Sequence, residues 1–409
     1  MNKVRIGWIG LGGRGQGLLK MVLDYMPDVD VVGVCDLYED RTEWGRALVE
    51  EKRGYSPFAT TEYRRILERN DVDAVITPSA WEAHVDICID SMLAGKRVAT
   101  EVGGAYSIEQ CWELVRTSER TGVPCMMLEN CCYGKNELTI FNMVKKGLFG
   151  ELVHCAGGYH HDLRDEVARG NEKRHYRLRN YKNRNGELYP THELGPLAKY
   201  LNINRGNRMT MLTSMSSKAA GVHDWIIRNK GENYDNADHI FTQGDIVTTC
   251  IKCAHGETIV LTHDTTLPRA YSRGNVVRGT RGAYEEKRGI LIDGMAEGQT
   301  FSHKFIPIEE FCDEHLHPLW KNYEPIGGHD GMDYHVFRAF FESVKNETDP
   351  PIDVYDTAAW MSITALSEAS IACGSMPVAI PDFTNGKWTN RKPYVRSRYC
   401  LDEVCEDLF

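Results

Sequence analysis

The chain has 409 residues, 42% hydrophobic and 26% charged. That length suits two domains of about 100–250 residues, and the composition excludes disordered, collagen-like and coiled-coil classes. Lys plus Arg number 48 against 58 Asp plus Glu, a formal charge of −10, which repels a phosphate backbone and excludes nucleic acid as the expected partner.

The opening MNKVRIGWIG runs straight into a strand, without the pattern of a signal peptide. No stretch approaches the roughly 18 apolar residues of a membrane span. A cytoplasmic location and no membrane partner are therefore expected. The pattern then predicts a strand over Val4–Ile9, a helix from about Gln16 to Tyr25 and a strand over Val29–Cys35. Next come a strand Ala74–Thr77, a helix around Ala83–Ala94, a strand Arg97–Thr100, a helix Ile108–Thr121 and a strand Cys125–Leu128. Short β-branched runs alternating with helices predict a doubly wound parallel sheet, so residues 1–130 are expected to form one α/β domain.

Beyond Glu151 the texture changes. Leu152–Gly158, Met211–Met215, Asp245–Lys252, Thr258–His263, Asn275–Arg278 and Gly289–Ile292 mostly follow one another without helices, which predicts a largely antiparallel sheet. Residues 131–409 are expected to form an α+β domain. Its predicted C-terminal helices, Tyr334–Val344 and Thr357–Ala372, are broken apart by Pro350-Pro351 and available to pack back on the first domain. The Arg- and Asn-rich stretch Arg164–Gly186 reads as a long functional or disordered loop with little core-forming capacity. An antiparallel sheet of this size has a face that a sister subunit can cover, so a homo-oligomer is expected. The 13 cysteines lie mostly in apolar surroundings and read as free thiols. Cys250 and Cys253 form a C-x-x-C with no second pair at zinc-ribbon spacing, which favours a structural reading.

Gly10-Leu11-Gly12-Gly13-Arg14-Gly15 directly follows the first strand and opens the first helix. In that context Gly10 allows the tight turn, Gly12 lets backbone approach a pyrophosphate, and Gly15 lets helix and sheet pack closely. The helix N-terminus offers its N–H groups to phosphates. Asp36 ends the second strand, about 20 residues further on, where a carboxylate binds the adenosine ribose and repels a 2′-phosphate; NAD is the expected cofactor.

The glycine-rich strand–helix unit, Asp36, Thr100-Glu101-Val102 after a buried strand and a mixed second domain together resemble the glucose-fructose oxidoreductase and inositol dehydrogenase family (Gfo/Idh/MocA). In its sugar dehydrogenases the Thr-Glu-Val position reads Glu-Lys-Pro, with the lysine moving the hydroxyl proton. Here Glu101 is kept, while Val102 and Gly103 replace lysine and proline. Five further blocks are similar to the NAD-dependent α-N-acetylgalactosaminidases of that superfamily: Glu129-Asn130, Gly158–Arg164, Leu188–His192, Asn204–Arg208 and His263–Ser272. Glu193 and Asp330 stand where that family has glycine, and Tyr176 precedes Arg177 where tryptophan is usual. These departures bear on the sugar more than on the chemistry.

The resemblance implies a glycoside hydrolase, an exception to paired-carboxylate hydrolysis. It would work by C3 oxidation on NAD, C2 deprotonation, elimination at C1, water addition and re-reduction. By resemblance Tyr159 takes the C2 proton, Tyr189 with His192 serves the C3 hydroxyl or makes sugar contacts, and Glu129 sits by nicotinamide and sugar. Arg177, Tyr271 and His161 are expected to bind substrate, while Trp81, His84 and Glu101, with the glycine turn and Arg14, hold the cofactor. Read alone, these tyrosines are packing residues and His192 a loop histidine. His329 reads equally as a pocket residue or a helix-entry residue. His160 and His161 are strand neighbours that face opposite ways, so no catalytic metal is expected. The alternatives are a plain NAD-dependent sugar or cyclitol dehydrogenase, which the missing lysine at Val102 disfavours, and a dinucleotide binder without turnover.

Overall fold

The computed structural model describes residues 3–294, 304–391 and 394–409. Its first sheet has the order β3-β2-β1-β4-β5-β6, every pair parallel. The strands are β1 (Val4–Ile9), β2 (Val29–Cys35), β3 (Phe58–Thr60), β4 (Ala74–Thr77), β5 (Arg97–Thr100) and β6 (Cys125–Met127). Between them run α1 (Gly13–Tyr25), α2 (Glu39–Arg53), α3 (Arg64–Leu67), α4 (Trp81–Leu93) and α5 (Ile108–Thr121). β4 and β6 are buried throughout and β1 at five of six positions, the near-continuous apolar runs a helix-covered parallel sheet requires. α5 starts at Ser107, whose side chain accepts from the Gln110 N–H, and stops at Gly122 with φ 68°.

The second sheet has the order β13-β12-β11-β7-β10-β9-β8-β14. Its strands are β7 (Leu152–His160), β8 (Met209–Ser216), β9 (Ile246–Cys253), β10 (Thr258–Asp264), β11 (Val276–Gly279), β12 (Gly282–Glu285), β13 (Gly289–Ile292) and β14 (Val378–Ala379). All pairs are antiparallel except β7 with β10. The helices are α6 (Lys135–Lys145), α7 (Arg164–Ala168), α8 (Arg177–Asn183), α9 (Thr191–Tyr200), α10 (Gly221–Lys230), α11 (Glu309–His315), α12 (Met332–Lys345) and α13 (Val354–Ala372). α12 contacts β1 and α1, and α13 contacts α5 and β6, so both C-terminal helices lie against the parallel-sheet layer. This is the expected fold class, a Rossmann-type parallel sheet joined to a largely antiparallel one.

One expectation is corrected. The Arg164–Gly186 stretch is not coreless: it forms α7 and α8, and Val167, Ala168, Leu178 and Tyr181 are buried. Its few apolar residues fall at helical spacing and face inward. Its charges are paired, some locally, as in Arg169 Nε to Glu172 at 2.9 Å, and others at a distance, as in Arg184 with Glu368, so a polar composition conceals an ordered element.

α9 is buried along its whole length and lies on β7, β10 and the 3-10 turn Asn130–Tyr133. Its buried Lys199 is matched: Lys199 Nζ donates to Asp356 at 2.6 Å, and Arg205 Nη1 reaches the other oxygen at 2.6 Å. The Asn204–Arg208 block is therefore a structural clamp on α13. All 13 cysteines are free; Cys250 is exposed and Cys253 buried, on opposite faces of β9. No helix among the described residues is long and apolar enough to cross a membrane.

Candidate active site

Where the strand order reverses between β1 and β4, the carboxyl ends of the strands open into a cavity of about 850 Å³, the usual ligand position of this topology. The turn after β1 is fitted to its surroundings. Gly10 has φ 115°, and a Cβ on it would lie 2.7 Å from the Pro78 carbonyl. A Cβ on Gly15 would lie 2.3 Å from the Gly10 oxygen. α1 begins at Gly12 with no side-chain cap and no acid in its first turn, leaving its first N–H groups free for an anion. Gly12, Gly13, Arg14 and Asp36 line the cavity. The Asp36 carboxylate is aimed by the N–H groups of Leu11 (2.7 Å) and Tyr38 (3.1 Å).

Arg14 is tied down from the second layer. It donates to both oxygens of Asp333 (2.6 and 2.8 Å) and to Glu101 (3.2 Å), and approaches His329 Nδ1 at 3.0 Å. Burial pushes the Asp333 carboxyl up, but Arg14 and His329 outweigh it and hold the group well below the usual range. His329 is both things its sequence allowed: it lines the cavity and sits at the entry to α12. His84 Nε2 faces the Ser79 carbonyl at 3.0 Å, so that nitrogen carries the hydrogen. Burial lowers the imidazole to about 4 and keeps it neutral.

At the other end of the cavity four expected residues meet. Tyr159 from β7 is buried, its ring 4.4 Å from Tyr189 and 5.7 Å from His192. Its hydroxyl lies 3.0 Å from His161 Nδ1. Burial raises the Tyr159 phenol, with Arg177 opposing, and burial then Arg177 lower His161. The resting pair is thus a phenol donating to a neutral imidazole. The Tyr189 hydroxyl lies 3.4 Å from His192 Nε2, while His192 Nδ1 lies 2.7 Å from Glu129 Oε1, which also accepts from the Cys131 N–H at 3.0 Å. Burial pushes Glu129 up, but the His192 imidazole and this N–H bring it below its ordinary value. The carboxylate accepts, so His192 carries a hydrogen on Nδ1 and turns Nε2 toward the Tyr189 hydroxyl. Arg177 stands over the rings of Tyr189 (5.2 Å) and Tyr159 (5.9 Å), held by Glu166 at 2.6 Å.

Glu129, Cys131 and His192 also bring three ligand-type atoms within 4.8 Å of one another. The Glu129–His192 hydrogen bond occupies two of them, and burial keeps the Cys131 thiol protonated, so the trio reads as an acid–base pair beside a thiol. Trp81 packs behind the cavity, between Tyr176 (4.8 Å) and Tyr189 (5.7 Å). Tyr271 is 44% exposed and stands off the wall, edge-on to His161 at 5.1 Å. Val102 lines the cavity where the dehydrogenases would carry lysine.

Sequence reading passed over Glu166 and Asp333, and took the strap 172–179 only as part of the Arg164–Gly186 loop. Asp333 lies four residues after His329 at the start of a predicted helix, a spacing that could have shown it. The strap crosses the cavity mouth. Arg174 pairs with Asp40 (2.7 and 3.0 Å) and covers the Tyr38 ring at 4.2 Å; Arg41 donates to the Lys173 carbonyl at 3.1 Å; Arg179 Nη2 reaches Glu82 at 2.9 Å. Arg174→Ala removes one exposed ion pair and one cation–π contact that hold the strap over the mouth. Bound nucleotide is expected to dissociate faster, as followed by a dilution chase.

Fold and cavity define an enzyme of the Gfo/Idh/MocA oxidoreductase type, with a groove for a nicotinamide cofactor and a tyrosine–histidine cluster at its end. Residues 4–129 match the oxidoreductase family, NAD-binding Rossmann fold, and residues 133–390 match the glycosyl hydrolase 109 C-terminal domain. The chain belongs to glycosyl hydrolase family 109. It is 38% identical to an alpha-N-acetylgalactosaminidase of Tannerella forsythia over 95% of this chain and 88% of that one. It is also 38% identical to a glycosyl hydrolase family 109 protein of Stenotrophomonas maltophilia over 96% and 91%. Among solved structures, levoglucosan dehydrogenase in complex with NADH and levoglucosan superposes with a TM-score of 0.70 at 16% identity, covering 93% of this chain and 100% of that one. The scyllo-inositol dehydrogenase of Lactobacillus casei gives 0.65 at 13%, covering 93% and 98%. At these identities they show a shared fold.

Proposed function

We propose that the chain is an NAD-dependent glycosidase acting on α-N-acetylgalactosaminides, the substrate class in the name of its T. forsythia relative. The observation that carries this reading is that Tyr159, Tyr189 and His192 share one cavity with the glycine turn, with the buried Glu129 hydrogen-bonded behind His192, while an apolar Val102 replaces the dehydrogenase lysine. Asp36, at the end of β2, favours NAD over its 2′-phosphorylated form.

When bound, the nicotinamide supplies a reversible two-electron sink for the C3–H bond of the sugar. His192 Nε2, with Tyr189 beside it, takes the C3 hydroxyl proton. The C3 ketone acidifies C2–H. Tyr159 takes that hydrogen as a proton while its own phenolic hydrogen passes to His161 Nδ1. The C2–H electron pair becomes the C1–C2 double bond as the C1–O bond breaks, and the departing oxygen leaves with its pair and takes a proton from water. Arg177 stabilises the negative charge that develops on the C3 oxygen as C2–H is lost, a contribution of about 2.7–4 kcal/mol for a well-placed donor. The hydroxide left by that water adds at C1, Tyr159 returns its proton to C2 as His161 hands back the phenolic hydrogen, and His192 would return its proton to the C3 oxygen.

The test is an aryl α-N-acetylgalactosaminide in heavy water, with purified protein and no added nucleotide. Release of phenol with deuterium at C2 of the sugar is expected. In a parallel run with NAD added, accumulation of reduced nicotinamide in proportion to substrate, without cleavage, would establish the plain dehydrogenase instead.

A further inference from the structure

Behind the cavity wall, α9 carries Glu193 directly after His192. Glu193 is 2% exposed and Glu187 fully buried, and none of their four carboxyl oxygens has a hydrogen-bond partner. Glu193 packs its Cβ where a side chain on Gly157 of β7 would stand, two residues from Tyr159. Glu187 faces His263 Nδ1 at 3.4 Å, and Glu129 has His192 at 2.7 Å. The nearby guanidinium of Arg273 is committed to Glu137, at 2.5 and 3.0 Å. Four carboxyls therefore share this interior: Glu129 has His192, Glu137 has Arg273, and His263 lies nearest to Glu187. Glu193 has no cation of its own.

An isolated ionised carboxylate in such a place costs far more than binding a proton. We propose that Glu193 is a positioning residue held as a neutral carboxylic acid, whose proton removes a negative charge that would otherwise lie beside the Glu129–His192 pair. Burial, then Glu187 and Glu129, all push Glu193 well above the carboxylate range. A second anion beside Glu129 would favour imidazolium and fill His192 Nε2 with a proton. The neutral acid leaves Nε2 open to accept. Cys131 and Cys132, from the 3-10 turn packed on α9, are held as neutral thiols by burial and add no charge.

This inference rests on the glycosidase reading for its consequence, but its main readout is independent of activity. Infrared spectra of protein labelled with ¹³C at glutamate carboxyls are expected to show, at neutral pH, a carbonyl band of a protonated acid that Glu193→Gln abolishes and Glu187→Gln leaves in place. Persistence of the band in Glu193→Gln, or its absence from the parent protein, would overturn the proposal. If neither variant folds, titration of the parent band decides: loss of the band below neutral pH overturns it, and its survival through neutral pH supports it. In kinetics, Glu193→Ala is expected to lower kcat/KM about tenfold, and the uncharged isostere Gln to restore it with the acid limb of the pH profile unmoved. A limb shifted by about one unit in Glu193→Gln would mean that a charge was removed and would refute the neutral state. A protein that shows the band yet cleaves no glycoside would sink the functional reading alone.

Discussion

Tyr159→Phe is expected to lower kcat for aryl glycoside cleavage by about 10²–10⁴, the contribution of a placed acid–base group, with little loss of fold. The ring keeps its packing on Tyr189 and His192. Only the hydroxyl and its 3.0 Å contact with His161 disappear, a stability cost of about 1 kcal/mol. The variant separates steps. Nothing in the substitution touches His192 or Glu129, so single-turnover spectra should still show reduced nicotinamide formed on sugar addition. Exchange of C2–H with heavy water should fall by the same factor as cleavage. Undiminished exchange in Tyr159→Phe would assign the C2 proton to another residue. His161 acts through Tyr159, so His161→Gln should slow the same step without abolishing it.

Five of the six parallel strands were legible because they are short, largely apolar and mostly set apart by helical patterns; β3, three residues with only Thr60 buried, and the helices α2 and α3 on either side of it were not. The glycine turn was legible because strand, turn and helix are consecutive in sequence. The Tyr159–Tyr189–His192–Glu129 constellation was not legible from periodicity or spacing: Glu129 and His192 are 63 residues apart and meet only because α9 lies across the 3-10 turn that follows β6. Resemblance named these residues, and geometry gives them partners. The helical order of 164–183 was hidden by composition, since α7 and α8 contribute only two buried apolar residues each. Glu193 drew notice as a departure from a family pattern, yet its surroundings became visible only with Glu187 and Gly157 in three dimensions.

Glu129→Gln is expected to be as damaging to turnover, about 10²–10⁴, by a different route. The carboxylate accepts from His192 Nδ1 and the Cys131 N–H through one oxygen, which fixes Nδ1 as the nitrogen that carries the hydrogen of the neutral ring. An amide can turn its own N–H toward the imidazole and reverse that tautomer, the kind of change that disables an imidazole base with geometry intact. Such a variant should fail before Tyr159→Phe does: no reduced nicotinamide on sugar addition, and no C2 exchange. Formation of reduced nicotinamide at the parental rate would remove the Glu129–His192 pair from the C3 step. Acid unfolding gives an independent check on the sign. Because the folded Glu129 sits below its ordinary value, its stabilisation is complete above the unfolded carboxylate range near 4 and is lost as pH falls through the lower folded value. The glutamine variant lacks that dependence, so urea midpoints measured across the acid range should fall less steeply for it than for the parent.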